Sequence, residues 1–483
     1  MLGPFQALAT ILLWLLVWTC VGDLPCSGAP DSLSPRAIPA YGWPERGKPL
    51  AAALAPGGRR VAVLAILPPA SLGPGPFPLT LEIWDAHELK LLASREVTVP
   101  RGVSSGGPFS GRDIGPLGCF VRYAGNGASL VISEGSARQR SGGGISELSA
   151  VDARLHVLAA DDMRELRSID LGLSSDPRVY GPADIQVSPA GDRLAVALSP
   201  IDLVIGFGGG ASCKAFEGSE VRVYDLGTGR ALWQVPFENA RIGGLEWSPD
   251  GLSLALTLQS GQGGDRWART SCLERTVDKN LLILETGSGR VLSGINTGDL
   301  AGPVCFGPNN EVFTAPFHFI YRNSKDQKVK VWNAQTGQLE RTIGYPGRDV
   351  HNLLALSRDG RVLVGYVGKE RLGFSWHALE EMEENLDQKF AIWDARSGAL
   401  IGTSPSLAPL TRSPGRRIEL RAEDGWRPPA IRKLSGRIVR LQADPGHLRL
   451  QVAAEGSEVL AYWAVNGPPL LFDVPDTRTA HRR

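Results

Sequence analysis

The sequence predicts an all-β fold: a seven-bladed β-propeller of four-stranded antiparallel blades, with long loops on one face. Three observations carry that expectation. A strand–turn–strand pattern recurs seven times, a Pro/Asp/Gly-type turn precedes each copy, and the 58 glycines and 35 prolines among 483 residues fit a chain full of reversals.

The clearest copy of the pattern is VKVWNAQTGQLE at residues 329–340. Val329 and Val331 alternate along one strand, Asn333, Thr336 and Gly337 supply turn-permissive residues, and Leu339 begins the return. The other copies begin at Leu81, Leu155, Val221, Leu281, Phe390 and Leu460, and align on Trp84, Leu158, Tyr224, Leu284, Trp332, Trp393 and Trp463. The preceding turns are APGG at Ala55, AGNG at Ala124, SPAG at Ser188, SPDG at Ser248, GPNN at Gly307, SRDG at Ser357 and DPGH at Asp444. Each unit therefore reads as four strands, two flanking each turn. Such a unit cannot bury its faces alone, and seven of them stacked around an axis can.

VKVWNAQTG, FAIWDARSG and VRVYDLGTG, two of them behind SPAG and SRDG turns, resemble WD40 repeats of the divergent bacterial, YVTN-like kind. The resemblance spans residues 50–475 and is strongest in the third to sixth units. It implies that Trp84, Asp85, Tyr224, Asp225, Trp332, Trp393, Asp394 and Trp463 are blade-packing and turn-forming residues with no need of a ligand. Asp225, Gly229 and Trp233 also resemble the tryptophan-docking motif of quinoprotein dehydrogenases and outer-membrane assembly propellers, in a single copy.

The ends read differently from the middle. Residues 7–21 are a nearly unbroken apolar run, too short for a comfortable membrane span, so 1–22 is expected to be a signal peptide or N-terminal anchor. Residues 23–49 read as a linker and 476–483 as a disordered tail. The expected location is extracytoplasmic (periplasmic, cell-surface or secreted), with membrane contact only through that segment. A net charge of +1 argues against nucleic acid and polybasic membrane surfaces as partners. Cysteine spacing shows no zinc pattern. Cys213 and Cys272 occupy equivalent loops of adjacent units and form a candidate disulfide, whereas Cys119 and Cys305 read as small buried hydrophobes.

Function is expected on the long-loop face. Connections between second and third strands are long in six units: 68–78, 133–154, 199–220, 259–280, 316–328 and 368–389, joined by 100–118 and 409–433. Arg266, Trp267, Trp376, Glu380, Glu384, Arg416, Arg417 and Trp426 are the candidate interaction residues. Trp376 to Lys389 carries a helical pattern with an acidic outer face, and 409–433 is rich in arginine. Catalytic constellations are thin. GxSxG at Gly102–Gly106 and GFGGGA lack their strand–helix context, and the seven histidines lack metal spacing, so no catalytic, cofactor or metal residue is assigned. The expected function is non-catalytic protein binding or scaffolding by a monomeric propeller. The alternatives are a propeller enzyme with an axial site (a hydrolase, lyase or quinone-dependent dehydrogenase) and an envelope assembly scaffold.

Overall fold

A computed structural model of the protein describes residues 35–37, 48–66, 77–99, 104–105, 120–125, 127–142, 145–173, 180–200, 205–206, 218–238, 240–260, 278–298, 301–316, 327–368, 389–404, 448–453, 458–463 and 470–474. These residues contain strands and no α-helix. The strands form seven sheets, six of four strands and one of six. Sheet one is Lys48–Leu54, Arg60–Ile66, Phe77–Asp85 and Leu91–Val99. Sheet two is Phe120–Tyr123, Ser129–Gly142, Ile145–Ala159 and Glu165–Asp170, with two short additions described below. Sheet three is Tyr180–Val187, Arg193–Pro200, Ser219–Asp225 and Ala231–Phe237. Sheet four is Ala240–Trp247, Ser253–Ser260, Leu281–Glu285 and Val291–Ile295. Sheet five is Ala301–Phe306, Glu311–Pro316, Val329–Asn333 and Leu339–Ile343. Sheet six is Asp349–Leu356, Val362–Gly368, Lys389–Asp394 and Leu400–Thr403. Sheet seven is Leu448–Val452, Glu458–Trp463, Leu470–Asp473 and, from the other end of the chain, Pro35–Ala37.

The second and third strands of the sheets bury side chains on both faces, as strands covered on both sides do, while the fourth strands are largely exposed. In Arg193–Pro200 the alternation is explicit. Leu194, Val196 and Leu198 pack with Leu155 and Val157 of sheet two, while Ala195 and Ala197 pack with Leu245, Leu256 and Leu284 of sheet four. Seven buried clusters result, each shared by consecutive sheets. The last joins Ala453, Leu460 and Leu471 of sheet seven to Ala52, Leu54 and Trp84 of sheet one. The first strands follow the same order, and Leu448–Val452 lies against both Asp349–Leu356 and Lys48–Leu54. There the Leu54 N–H donates to Gln451 Oε1 at 2.8 Å, and Gln451 Nε2 donates to the Ala52 carbonyl at 3.3 Å.

Both turn families depend on one residue in the left-handed region. In the turns between first and second strands it is Gly58, Gly127, Gly191, Gly251, Asn310 or Gly360, and between third and fourth strands Gly229, Gly289, Gly337 or Gly398. Sheets one and two place Leu89 (φ 53°) and Met163 (φ 55°) at the second position, which is why their copies of the pattern look degenerate. Gly289 is doubly constrained. Its φ is 74°, and a Cβ there would come within 2.8 Å of both the Trp233 ring and Val235 of the preceding sheet. Gly289→Ala is expected to cost roughly 2–3 kcal/mol, from left-handed strain plus overpacking, as a lowered midpoint in urea unfolding.

Two expectations are corrected. Trp463 does not stand at the aromatic position of a third strand. It ends the second strand of sheet seven, opposite Leu448, and Leu470–Asp473 is the third strand. The fourth place is taken by Pro35–Ala37, read from sequence as linker, with Arg36 opposite Leu471. Because the outer edge is filled from the amino-terminal side, the last strands of the chain shift inward by one position; Asp444 lies outside the described residues. The stretch 133–154 is likewise not a loop. Ser129–Gly142 and Ile145–Ala159 pair in register from Ser129↔Ala159 to Gly142↔Ile145, with one irregularity at Arg138/Gln139.

Candidate functional site

The motif residues sit where the turns need them. Asp85 Oδ1 accepts the His87 and Glu88 N–H groups at 2.8 and 2.7 Å, and these bonds, the Glu88 one foremost, lower its carboxyl's pKa. Asp225 Oδ1 accepts the Thr228 hydroxyl at 2.8 Å and the Thr228 N–H at 2.6 Å, with the same effect, and Asp394 Oδ1 accepts the Ser397 N–H and hydroxyl, each at 2.8 Å. The aromatics are buried with their polar atoms engaged. The indole N–H groups donate from Trp84 to Glu82 (3.0 Å), Trp332 to Thr314 (2.9 Å) and Trp393 to the Gly344 carbonyl (3.2 Å). Burial raises the Tyr224 phenol. These bonds order the turns and tie neighbouring strands together.

Trp233 does dock on its neighbour, its indole N–H donating to the Thr286 carbonyl at 2.8 Å. The same bridge from a last strand to the next sheet's turn is made by Arg95 to Met163, Arg167 to Thr228 (3.0 Å) and Arg341 to Ala395 (2.9 Å). Arginine fills this role in three places where tryptophan fills it once, so a search for repeated tryptophan finds a single copy.

Cys213, Cys272, Arg266, Trp267, Trp376, Glu380, Glu384, Arg416, Arg417 and Trp426 lie outside the described residues. The strand ends that root their loops do not, and on that side of the molecule one element is described. The hairpin of sheet two continues past its pairing with Phe120–Tyr123, which stops at Ser133, and with Glu165–Asp170, which stops at Arg154. About nine further residues on each strand carry it roughly 30 Å beyond the sheet. Two other connections join it. Ser104–Ser105, from the link between sheets one and two, pairs in parallel with Gln139 and Arg140, and Ile205–Gly206, from the insertion of sheet three, pairs with Ser146 and Ile145. One arm thus gathers chain from three consecutive sheets. Its one sequence signal is the Gly-Gly pair at 143–144, of the kind that joins two strands in a two-residue hairpin connection.

A second constellation, unmarked by any motif, lies on the first strands. Arg122 of sheet two reaches Asp184 of sheet three, Nη2 to Oδ1 at 3.1 Å, with side chains 16% and 23% exposed. The Ile185 N–H also donates to Asp184 Oδ1 at 2.9 Å, and Arg122 lies over the Phe120 ring. Glu246 of sheet four sits beside them, half-buried. Burial, with the Asp184 charge adding to it and Arg122 opposing, pushes its carboxyl up to about 8. Cys305 of sheet five follows, buried and free, its thiol pushed well up by burial and next by Glu246. Arg122→Ala is expected to cost roughly 2–3 kcal/mol, because it strands the Asp184 carboxylate, read as a loss of denaturation midpoint that Arg122→Lys partly restores.

The turn end of the first strands is crossed by Arg358 in the turn of sheet six. It donates to the Gly125 carbonyl of sheet two at 3.3 Å and the Pro189 carbonyl of sheet three at 3.4 Å. Sheets far apart in sequence order therefore meet at one point. Among the described residues no group of three or more His, Cys, Asp or Glu side chains could hold a metal ion, and no helix is long and apolar enough to cross a membrane. The chain matches no protein-family model and no curated protein sequence.

Proposed function

We propose that the protein is a closed seven-bladed, WD40-like propeller that binds a protein partner, without catalysis, through its long-loop face. The arm of sheet two carries this reading. A hairpin that extends well beyond the outer pairings of its sheet and collects strands from two neighbouring connections brings chain from three consecutive sheets together, a backbone platform on the loop side. The cyclic order of those clusters and the bonds of Gln451 to sheet one support ring closure, with Pro35–Ala37 as the closing strand. Export, with residues 1–22 as signal peptide or anchor, belongs to the same reading and rests on the apolar run at 7–21.

The test removes residues 136–152, joining Gly135 to Ala153 by a two-residue Asn-Gly turn. The native pairings from Ser129↔Ala159 to Gly135↔Ala153 stay in place, so the ring is expected to keep its far-UV spectrum and unfolding midpoint. Affinity capture with both forms after crosslinking in the producing cell is expected to recover one stoichiometric protein with the full chain and none with the shortened one. Equal recovery would overturn the role of the arm. Turnover of a small molecule by the purified chain alone would favour an enzyme instead.

A further inference from the structure

We propose that the protein rests on a zwitterionic membrane surface through the turn end of sheets one to four, with the long-loop side directed away from the bilayer. Among the described residues, every exposed large hydrophobic side chain stands at the turn end of its sheet. Leu92, Leu166, Leu232 and Leu292 each hold the second position of a fourth strand, directly after the turn, and are 47–49% exposed. Val291 and Leu339 hold the first position, and Leu252, 67% exposed, follows Gly251 in the first turn of sheet four. The two turns of a sheet are bonded to each other, the Thr286 N–H donating to the Leu252 carbonyl at 3.1 Å. First strands meet between sheets and fourth strands are sheet edges, so the four leucines lie on an outer rim. Apolar side chains gathered at one end differ from apolar side chains scattered singly.

Each of these leucines follows a cation. Lys90, Arg164, Arg230 and Arg290 are exposed and stand two residues before it. Their carbonyls close equivalent turns, accepting the N–H groups of Asp85, Ala159, Asp225 and Glu285 at 2.8–3.0 Å. The equivalent positions of sheets five and six hold Gln338 and Ala399, so the cation–leucine pairing covers four consecutive sheets and stops. Carboxylates stand among the cations: Arg164 Nε is 3.6 Å from Asp162 Oδ2, and Arg290 Nε is 3.6 Å from Glu285 Oε2. A rim of both signs suits headgroups that carry phosphate and ammonium together, and a net charge of +1 supplies no field toward an anionic surface. Leucines can enter the boundary below the headgroups while Lys and Arg stems lie alongside and keep their charges at the phosphates.

The chain also enters the ring from this end. Glu458 begins the second strand of sheet seven, just past the first turn, Asp473 stands opposite Glu458, and Pro35 stands opposite Phe472. Residues 22–34 alone separate Pro35 from the apolar run at 7–21, a reach of at most about 45 Å. Sheet seven adjoins sheet one, where the row of leucines begins. An apolar run held in a bilayer therefore brings that row to the same surface. The tether rests on reading 1–22 as a retained anchor; the rim contact is independent of the partner proposed for the loop side.

The experiment places a polarity-sensitive fluorophore on single cysteines of the full chain, its native cysteines replaced by serine, with phosphatidylcholine vesicles carrying a nitroxide lipid as quencher. Labels at Leu232→Cys and Leu292→Cys are expected to shift to the blue and to be quenched several-fold more than labels at Gln338→Cys and Ala399→Cys. Equal quenching at all four positions, or none, would overturn the rim contact. A blue shift at the rim before lipid is added, growing with protein concentration, would assign the rim to a second copy and overturn it as well. Should the serine-replaced chain not fold, hydrogen exchange of the unaltered protein decides: vesicles must slow exchange at 86–92 and 226–232 and leave 334–340 unchanged, and any other pattern overturns the contact. The mass of the amino terminus in the same preparation keeps the two readings apart. A chain that begins after residue 22 removes the tether, while the labels still decide the rim.

Discussion

Trp393→Ala is expected to destabilise the protein by about 4 kcal/mol, seen as a large drop in urea midpoint at unchanged slope. Trp393 is completely buried and is the largest fully buried side chain among the described residues. It packs with Phe313, Val329 and Val331 of sheet five, and its indole N–H reaches the Gly344 carbonyl. Truncation leaves a ring-sized cavity between two sheets whose backbones are each fixed by their own ladders, so the walls cannot collapse to fill it. Trp393→Phe retains most of the volume and loses the hydrogen bond, and should cost about half as much.

Gly125→Ala is expected to be nearly as damaging, about 3 kcal/mol, at the upper end for overpacking. A Cβ there would lie 1.9 Å from the Pro189 carbonyl oxygen and 2.6 Å from its carbon, so the turns of sheets two and three would have to separate. The obstacle is backbone, with no rotamer to yield. Because Arg358 bonds both the Gly125 and the Pro189 carbonyls, the separation should also release Arg358. Thermal unfolding of Gly125→Ala and of Arg358→Ala distinguishes the two contributions. The exposed Arg358 should cost under about 1 kcal/mol alone, and the double variant should lose less than the sum, since both act at one point.

Much of this architecture was legible in the chain because turn chemistry and strand alternation agree in the third to sixth units. SPDG with Gly251, GTG with Gly229 and SG with Gly398 each place glycine where φ is positive, next to runs such as Leu254, Leu256 and Leu258. Where Leu89 and Met163 take that position, the local signal fades while the sheet persists, because the Leu79, Leu81 and Ile83 face and the Leu155 and Val157 face bury it regardless. Sheet seven was misread by one strand. LAYWAVNGPPLL imitates a third-to-fourth hairpin, and only the pairing of Arg36 with Leu471, between residues at opposite ends of the chain, reveals that the fourth place is occupied from elsewhere. Local pattern carries no record of such a pairing.

The arm was hidden for another reason. Residues 134–152 lack the two apolar faces that mark the other strands, so EGSARQRSGGGISELSAVD reads as loop by composition, although its two halves pair from Ser136↔Asp152 to Gly142↔Ile145. The Arg122, Asp184 and Glu246 constellation could not be found from sequence, since its members lie 62 residues apart in each step. They meet only because each stands just before the first turn of its own sheet.

Ring closure underlies the proposed function, since it would bring the long connections of six units to one face. It is tested most directly by a disulfide between Arg36→Cys and Leu471→Cys in a chain whose native cysteines are replaced by serine. Directly opposed residues of an antiparallel pair have Cβ atoms about 4.5–5.5 Å apart, within reach of the bond after small adjustment. The account predicts rapid, near-complete intrachain crosslinking of the folded protein under mild oxidation, abolished in urea. It also predicts none when Arg36→Cys is paired with Leu339→Cys on sheet five. Absence of the 36–471 crosslink in the folded chain, or equal crosslinking to position 339, would contradict it.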